Sequence, residues 1–146
     1  MWRILLLILT AFSTISAAAG FWYLVPGGAQ GMSANALTGS PFDSYVWPGL
    51  ILLVVVGGTQ VAAFVLLLLR NGLAPLVTSV AAFAMLIWIL AETMLFSIPP
   101  EDPAWAIMRI LQIAYFAIGL AETGCVLALL GVFDGSVTST VLRGRP

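Results

Sequence analysis

The chain has 146 residues, of which 62% are hydrophobic and only 8% charged, and its mean hydropathy is +1.13. A soluble domain carries about a quarter charged residues, so this composition excludes an ordinary water-soluble fold and makes lipid the expected solvent. The net charge of −1, with five arginines and no lysine, offers no patch for nucleic acid and no polybasic tail, and the lack of histidine removes the commonest general base and metal ligand.

Four apolar stretches succeed one another along the chain, each longer than the roughly 20 residues that cross a hydrocarbon core as helix. Residues 4–25 are uncharged and stop at Pro26-Gly27-Gly28; residues 48–69 stop at Arg70-Asn71-Gly72. Residues 73–96 contain Glu92 and stop before Pro99-Pro100, and residues 103–133 contain Arg109 and Glu122. Unpaired backbone groups are costly in lipid, so helices are the economical form. The expected fold is all-α: a single membrane domain, 1–146, built as an antiparallel bundle of four transmembrane helices.

The start of the chain also reads like a signal peptide, with Arg3, an apolar run and Ala17-Ala18-Ala19 before Gly20. The apolar run continues through Phe21 to Val25, so a retained first span is expected. Asp102-Pro103 places an N-cap acceptor before a proline at the first helical position. Asn71-Gly72 marks a short hairpin between the second and third spans. Arg3, Arg70, Arg143 and Arg145 all fall on one side if the N-terminus is cytoplasmic, and the positive-inside rule then puts both termini in the cytoplasm. The connection 26–47 lies outside, and 134–146 forms a cytoplasmic tail.

An ionisable residue at membrane depth is a functional candidate by default. Helix rise places Glu92 about 7 Å and Arg109 roughly 6–9 Å below the outer surface, so an ion pair between them is expected. Glu122 lies roughly 25 Å below that surface, with no arginine at its level. The tetrapeptide Leu-Ala-Glu-Thr occurs at 90–93 and again at 120–123, but depth separates its two carboxyls. For Glu122 a protonated or hydrogen-bonded carboxyl is expected, with a proton or substrate relay as the alternative. Gln112, Tyr115, Gly119 and Glu122 recur at helical spacing on one face. With Gln60 and Trp88 they form either the inward side of the bundle or an aromatic-walled pocket open to the outer leaflet. Ser13, Ser16, Ala17 and Gly20 give the first span a small-residue face suited to close packing. The lone Cys125 reads as a small buried side chain, which excludes disulfide-relay chemistry.

The connection 26–47 is long enough to fold over the bundle mouth. Ser40, Pro41, Phe42 and Asp43 form its most distinctive stretch, read as a lid or as a loop resting on headgroups.

The order "GSPF", then "PG", before an apolar span, followed by "IWILAET" in the third span, resembles a group of small, uncharacterised four-span bacterial membrane proteins. They are common in actinobacteria and broadly similar in layout to DoxX-like families. The resemblance implies a bundle fold and a multi-pass location in the bacterial plasma membrane, and it implies no reaction. The expected function is a small non-catalytic accessory or scaffold subunit of a membrane or envelope complex, without cofactor or metal. Its partners are membrane lipids, with another membrane protein or self-association as further candidates. The alternative is a lipid- or isoprenoid-binding or lipid-modifying protein. An oligomeric proton-coupled transporter ranks below both: the small multidrug exporters carry their glutamate in the first span, and this first span has no acid.

Overall fold

The computed structural model describes residues 1–29, 32, 34–96 and 98–132. The expected tail 134–146, with Arg143 and Arg145, lies outside the described residues. Four helices, each long and apolar enough to cross a membrane, dominate the fold: α1 (Trp2–Leu24), α2 (Val46–Leu68), α3 (Ala74–Leu95) and α4 (Pro103–Leu129). A short 3₁₀ turn, Ala34–Leu37, lies in the long connection, and no strand occurs among the described residues. α1 runs unbroken through Ala17 to Gly20, the stretch that resembles a cleavage site.

The helices sort their side chains as lipid requires. On α1 the buried face is Leu6, Thr10, Ser13 and Ala17, while Ile4, Ile8, Phe12, Ile15 and Trp22 are exposed. On α3, Thr78, Ala81, Ala82 and Met85 are buried, and Leu76, Val80, Phe83 and Ile87 face outward. Large apolar groups lose nothing by facing hydrocarbon, whereas small and polar groups gain from helix contact. The hydroxyls of Thr10 and Thr78 close on the carbonyls one turn earlier, at 2.8 Å from Leu6 O and 2.7 Å from Ala74 O, so neither donor is left bare.

α2 is not uniform. Its segment Leu52–Gly57 is a π-helix. Such a wide turn inserts an extra residue and rotates the remainder of the helix by about 100° relative to an unbroken α-helix. The turn ends on Gly57, where a Cβ would stand 3.2 Å from the Ala17 Cβ of α1. The small-residue face of α1 is therefore used inside the bundle, with Ser13 and Ala17 both buried.

The helix ends are closed by specific groups. After α2, Arg70 takes a left-handed φ of 55°, its amide donates to Leu67 O, and the Asn71 amide donates to Leu66 O. This is the Schellman pattern, built here on an arginine rather than on the neighbouring Gly72. Arg3 reaches the same terminus from α1: its Nε donates to Leu67 O at 2.9 Å and its Nη2 to Leu68 O at 3.2 Å. A guanidinium on the last carbonyls of a helix also complements the negative end of its dipole. Arg3 and Arg70 thus share one end of the bundle. At the other end the Asp102 carboxylate accepts from the Ala104 amide at 2.8 Å, the expected N-cap of α4.

Two packed clusters fill the interior. Leu6, Leu67, Ala74, Cys125 and Val126 lie toward the Arg3 end, so Cys125 is the small buried side chain its sequence context indicated. Val56, Met85, Trp88 and Ile89, with Tyr115 and Phe116 against them, form the other.

Candidate functional site

The two glutamates of the repeated tetrapeptide belong to separate arrangements. Glu122 is fully buried. Gln60 Nε2 of α2 donates to its Oε2 at 2.8 Å, and Ser13 Oγ of α1 donates to its Oε1 at 3.3 Å. One side chain thus ties three helices, with both partners themselves buried. Among the described residues Gln60 Oε1 has no hydrogen-bond partner, so every polar contact of that amide there depends on Glu122. A carboxyl this enclosed, bonded on both oxygens, is placed to hold helices together rather than to exchange protons with a cavity.

Glu92 lies toward the other end of the bundle from Arg3, on the last turn of α3. Its Oε1 accepts from the indole Nε1 of Trp88, one turn earlier, at 3.0 Å. Arg109 of α4 donates through Nη1 to Gln112 Oε1 at 3.0 Å, three residues on. The expected Glu92–Arg109 ion pair is therefore not formed, because each group takes a neutral partner on its own helix. Shared depth did not bring them together, since contact also requires the two side chains to point at one another across the helix interface. We expect Glu92→Gln and Arg109→Gln to act independently, with a double-mutant coupling below about 0.5 kcal/mol in detergent unfolding. A coupling well above that would restore the pair.

Between these two groups the bundle opens. A cavity of about 110 Å³ is lined by Tyr23 and Leu24 from α1, Trp88, Ile89 and Glu92 from α3, and Met108, Leu111, Gln112 and Tyr115 from α4, with Met32 and Phe96 at its edge. It has room for about three waters or one small polar group. A larger groove of about 400 Å³ opens on the outer side of the α3–α4 seam, lined by Arg109, Gln112, Ile113, Phe116 and Leu120, with Ile89, Leu90 and Thr93 opposite. Ile89 and Gln112 line both spaces and so form the wall between them. The ionisable side chains are divided across that wall. Glu92 faces the cavity, and Arg109 faces the groove.

The expected polar set divides in the same way. Trp88, Gln112 and Tyr115 do line the cavity, while Gln60 is drawn into the Glu122 tie. Ser40, Pro41, Phe42 and Asp43 are not among the residues lining the cavity. Pro41 and Asp43 are exposed, and the Phe42 amide donates to Ser40 Oγ at 3.3 Å in a local turn. Their part of the connection is anchored instead through Tyr45, whose ring meets Phe96 edge-on at 6.0 Å. Burial raises the Tyr45 phenol above its ordinary value, and Tyr23 and Asp102 add to the effect. Tyr23, Met32, Phe96, Met108 and Leu111 enter the wall without having been anticipated. The aromatic run at the end of the first span was the available signal for Tyr23.

Among the described residues no cluster of three metal-ligating side chains occurs. No protein-family model, curated protein or solved structure matches the chain.

Proposed function

We propose that the chain is a small non-catalytic membrane protein of the bacterial plasma membrane that holds a lipid in its outer half. The observation that carries this reading is the groove at the α3–α4 seam, apolar along most of its length with the Arg109 side chain at one end. Such a groove suits an amphiphile, with its polar atoms at the Arg109 end and hydrocarbon along the rest. The orientation comes from the positive-inside rule, with the end bearing Arg3 and Arg70 in the cytoplasm and the cavity near the outer surface. The resemblance to small four-span bacterial proteins supports the same location. Native mass spectrometry of the protein extracted in mild detergent tests the reading. A retained lipid that is lost on Ala117→Phe, which fills the groove, is the expected result. A lipid-free protein that still withstands extraction would overturn it.

A second reading, an accessory or scaffold subunit, is favoured by the outward face of α2. Val54, Gly58, Val61, Ala62 and Val65 are exposed along it, and a Cβ on Gly58 would meet nothing within 4 Å. A small-xxx-small face of this kind lets another helix approach closely. Co-purification of a partner or a second copy, abolished by Gly58→Ile, is its test; a monomer without partners counts against it.

A further inference from the structure

We infer that the lipid is an anionic phospholipid, with its phosphate held by Arg109 and one acyl chain lying in the α3–α4 groove. The inference rests on the lipid-binding reading and specifies its ligand.

Arg109 sits six residues into α4, counting from Pro103, or about 9 Å along the helix. Its side chain is partly buried, and its one hydrogen bond among the described residues goes to the neutral Gln112 amide. The guanidinium therefore has a neutral partner where an intramembrane cation calls for an anion. That bond uses Nη1, which fixes the plane of the fork and leaves the remaining N–H groups for another acceptor. A planar guanidinium matches a phosphate through paired hydrogen bonds.

The groove supplies what the tail needs. From Arg109 to Leu120 it tracks α4 for eleven residues, or about 16 Å, which is close to half of the roughly 30 Å hydrocarbon core. Ile113, Phe116 and Leu120 give it an apolar wall, and Ala117 leaves the space between them. The cavity beyond Gln112 carries the Glu92 carboxyl and no basic side chain among its lining residues, so it offers an anion no counter-charge. With the guanidinium on the groove side of the Gln112 wall, an anion is directed to the groove.

The test uses the full chain in nanodiscs containing phosphatidylglycerol, phosphatidylcholine and diacylglycerol with identical acyl chains, and reads the retained lipid by native mass spectrometry. Wild-type protein is expected to enrich phosphatidylglycerol over diacylglycerol by about tenfold, the ratio one charge-assisted hydrogen bond supplies, with phosphatidylcholine between them. Arg109→Gln should erase the order while retaining lipid, and Arg109→Lys should keep part of it. Ala117→Phe should lower retention of all three. Equal retention of the three lipids by wild-type protein overturns the inference but leaves lipid binding standing, as does an unchanged order in Arg109→Gln. No retained lipid in wild type overturns both. Should Arg109→Gln fail to fold, the wild-type order alone decides.

Discussion

Glu122→Leu is expected to destabilise the bundle by about 1–3 kcal/mol, the cost of leaving buried polar groups without partners. Gln60 is the reason. Among the described residues its Oε1 has no partner and its Nε2 bonds only to Glu122, so a leucine at 122 strands the whole amide in the interior. Ser13 loses its bond as well, though a serine in a helix can turn to the carbonyl one turn back. Hydrogen bonds between membrane helices average about 0.6 kcal/mol each, which favours the lower half of the range. Glu122→Gln keeps the shape and one acceptor oxygen for Gln60, and its NH2 can donate to Ser13 Oγ, so it should stay within about 1 kcal/mol of wild type. The decisive variant is Glu122→Leu combined with Gln60→Met. It removes both ends of the tie, and most of the lost stability should return, since deleting paired polar groups together can be nearly neutral. Reversible unfolding in mixed detergent micelles measures all three. If Glu122→Leu alone matched wild type, the tie would contribute nothing and the carboxyl would be free for another role.

Gly57→Leu is expected to cost about 1–3 kcal/mol by overpacking, whereas Gly58→Ala, one residue on, should be neutral or stabilising by up to about 1 kcal/mol. The contrast comes from the π turn. It aims Gly57 at Ala17, whose Cβ is fixed to the backbone and cannot rotate away, so a side chain there must part α1 from α2. Gly58 points outward into open space, and an alanine there only removes the conformational freedom of glycine. The same unfolding measurement separates them. Equal effects at the two positions would mean that α2 does not turn Gly57 toward α1 and Gly58 away from it.

The four helices were legible because charge and proline punctuate an otherwise continuous apolar text: Asp102 does cap α4, and Arg70 and Asn71 do end α2. The different levels of Glu92 and Glu122 were legible too, from residue counting alone. The Glu92–Arg109 arrangement was not, because depth along a helix comes from counting residues while the angle around the axis comes from packing. That Glu122 would be a hydrogen-bonded carboxyl was legible, whereas the choice of Gln60 and Ser13 from among the inward-facing side chains was not, for a related reason. A π turn is an irregularity that apolar periodicity does not register, yet it decides which way Gln60 faces. The cavity wall draws Tyr23 from α1 and Tyr115 from α4, residues 92 positions apart, and only the crossing of those helices brings them together.

The tie at Glu122 has a bearing on how the chain is assembled. Ser13 and Gln60 are synthesised 109 and 62 residues before their common partner. During insertion the Gln60 amide must therefore wait for its acceptor until the fourth helix arrives, while the Ser13 hydroxyl can turn meanwhile to a carbonyl of its own helix. The last helix supplies the acceptor for both, so its docking acts as a completion signal for the bundle. A chain arrested after α3 would carry the mark of its own incompleteness, a polar amide without its acceptor.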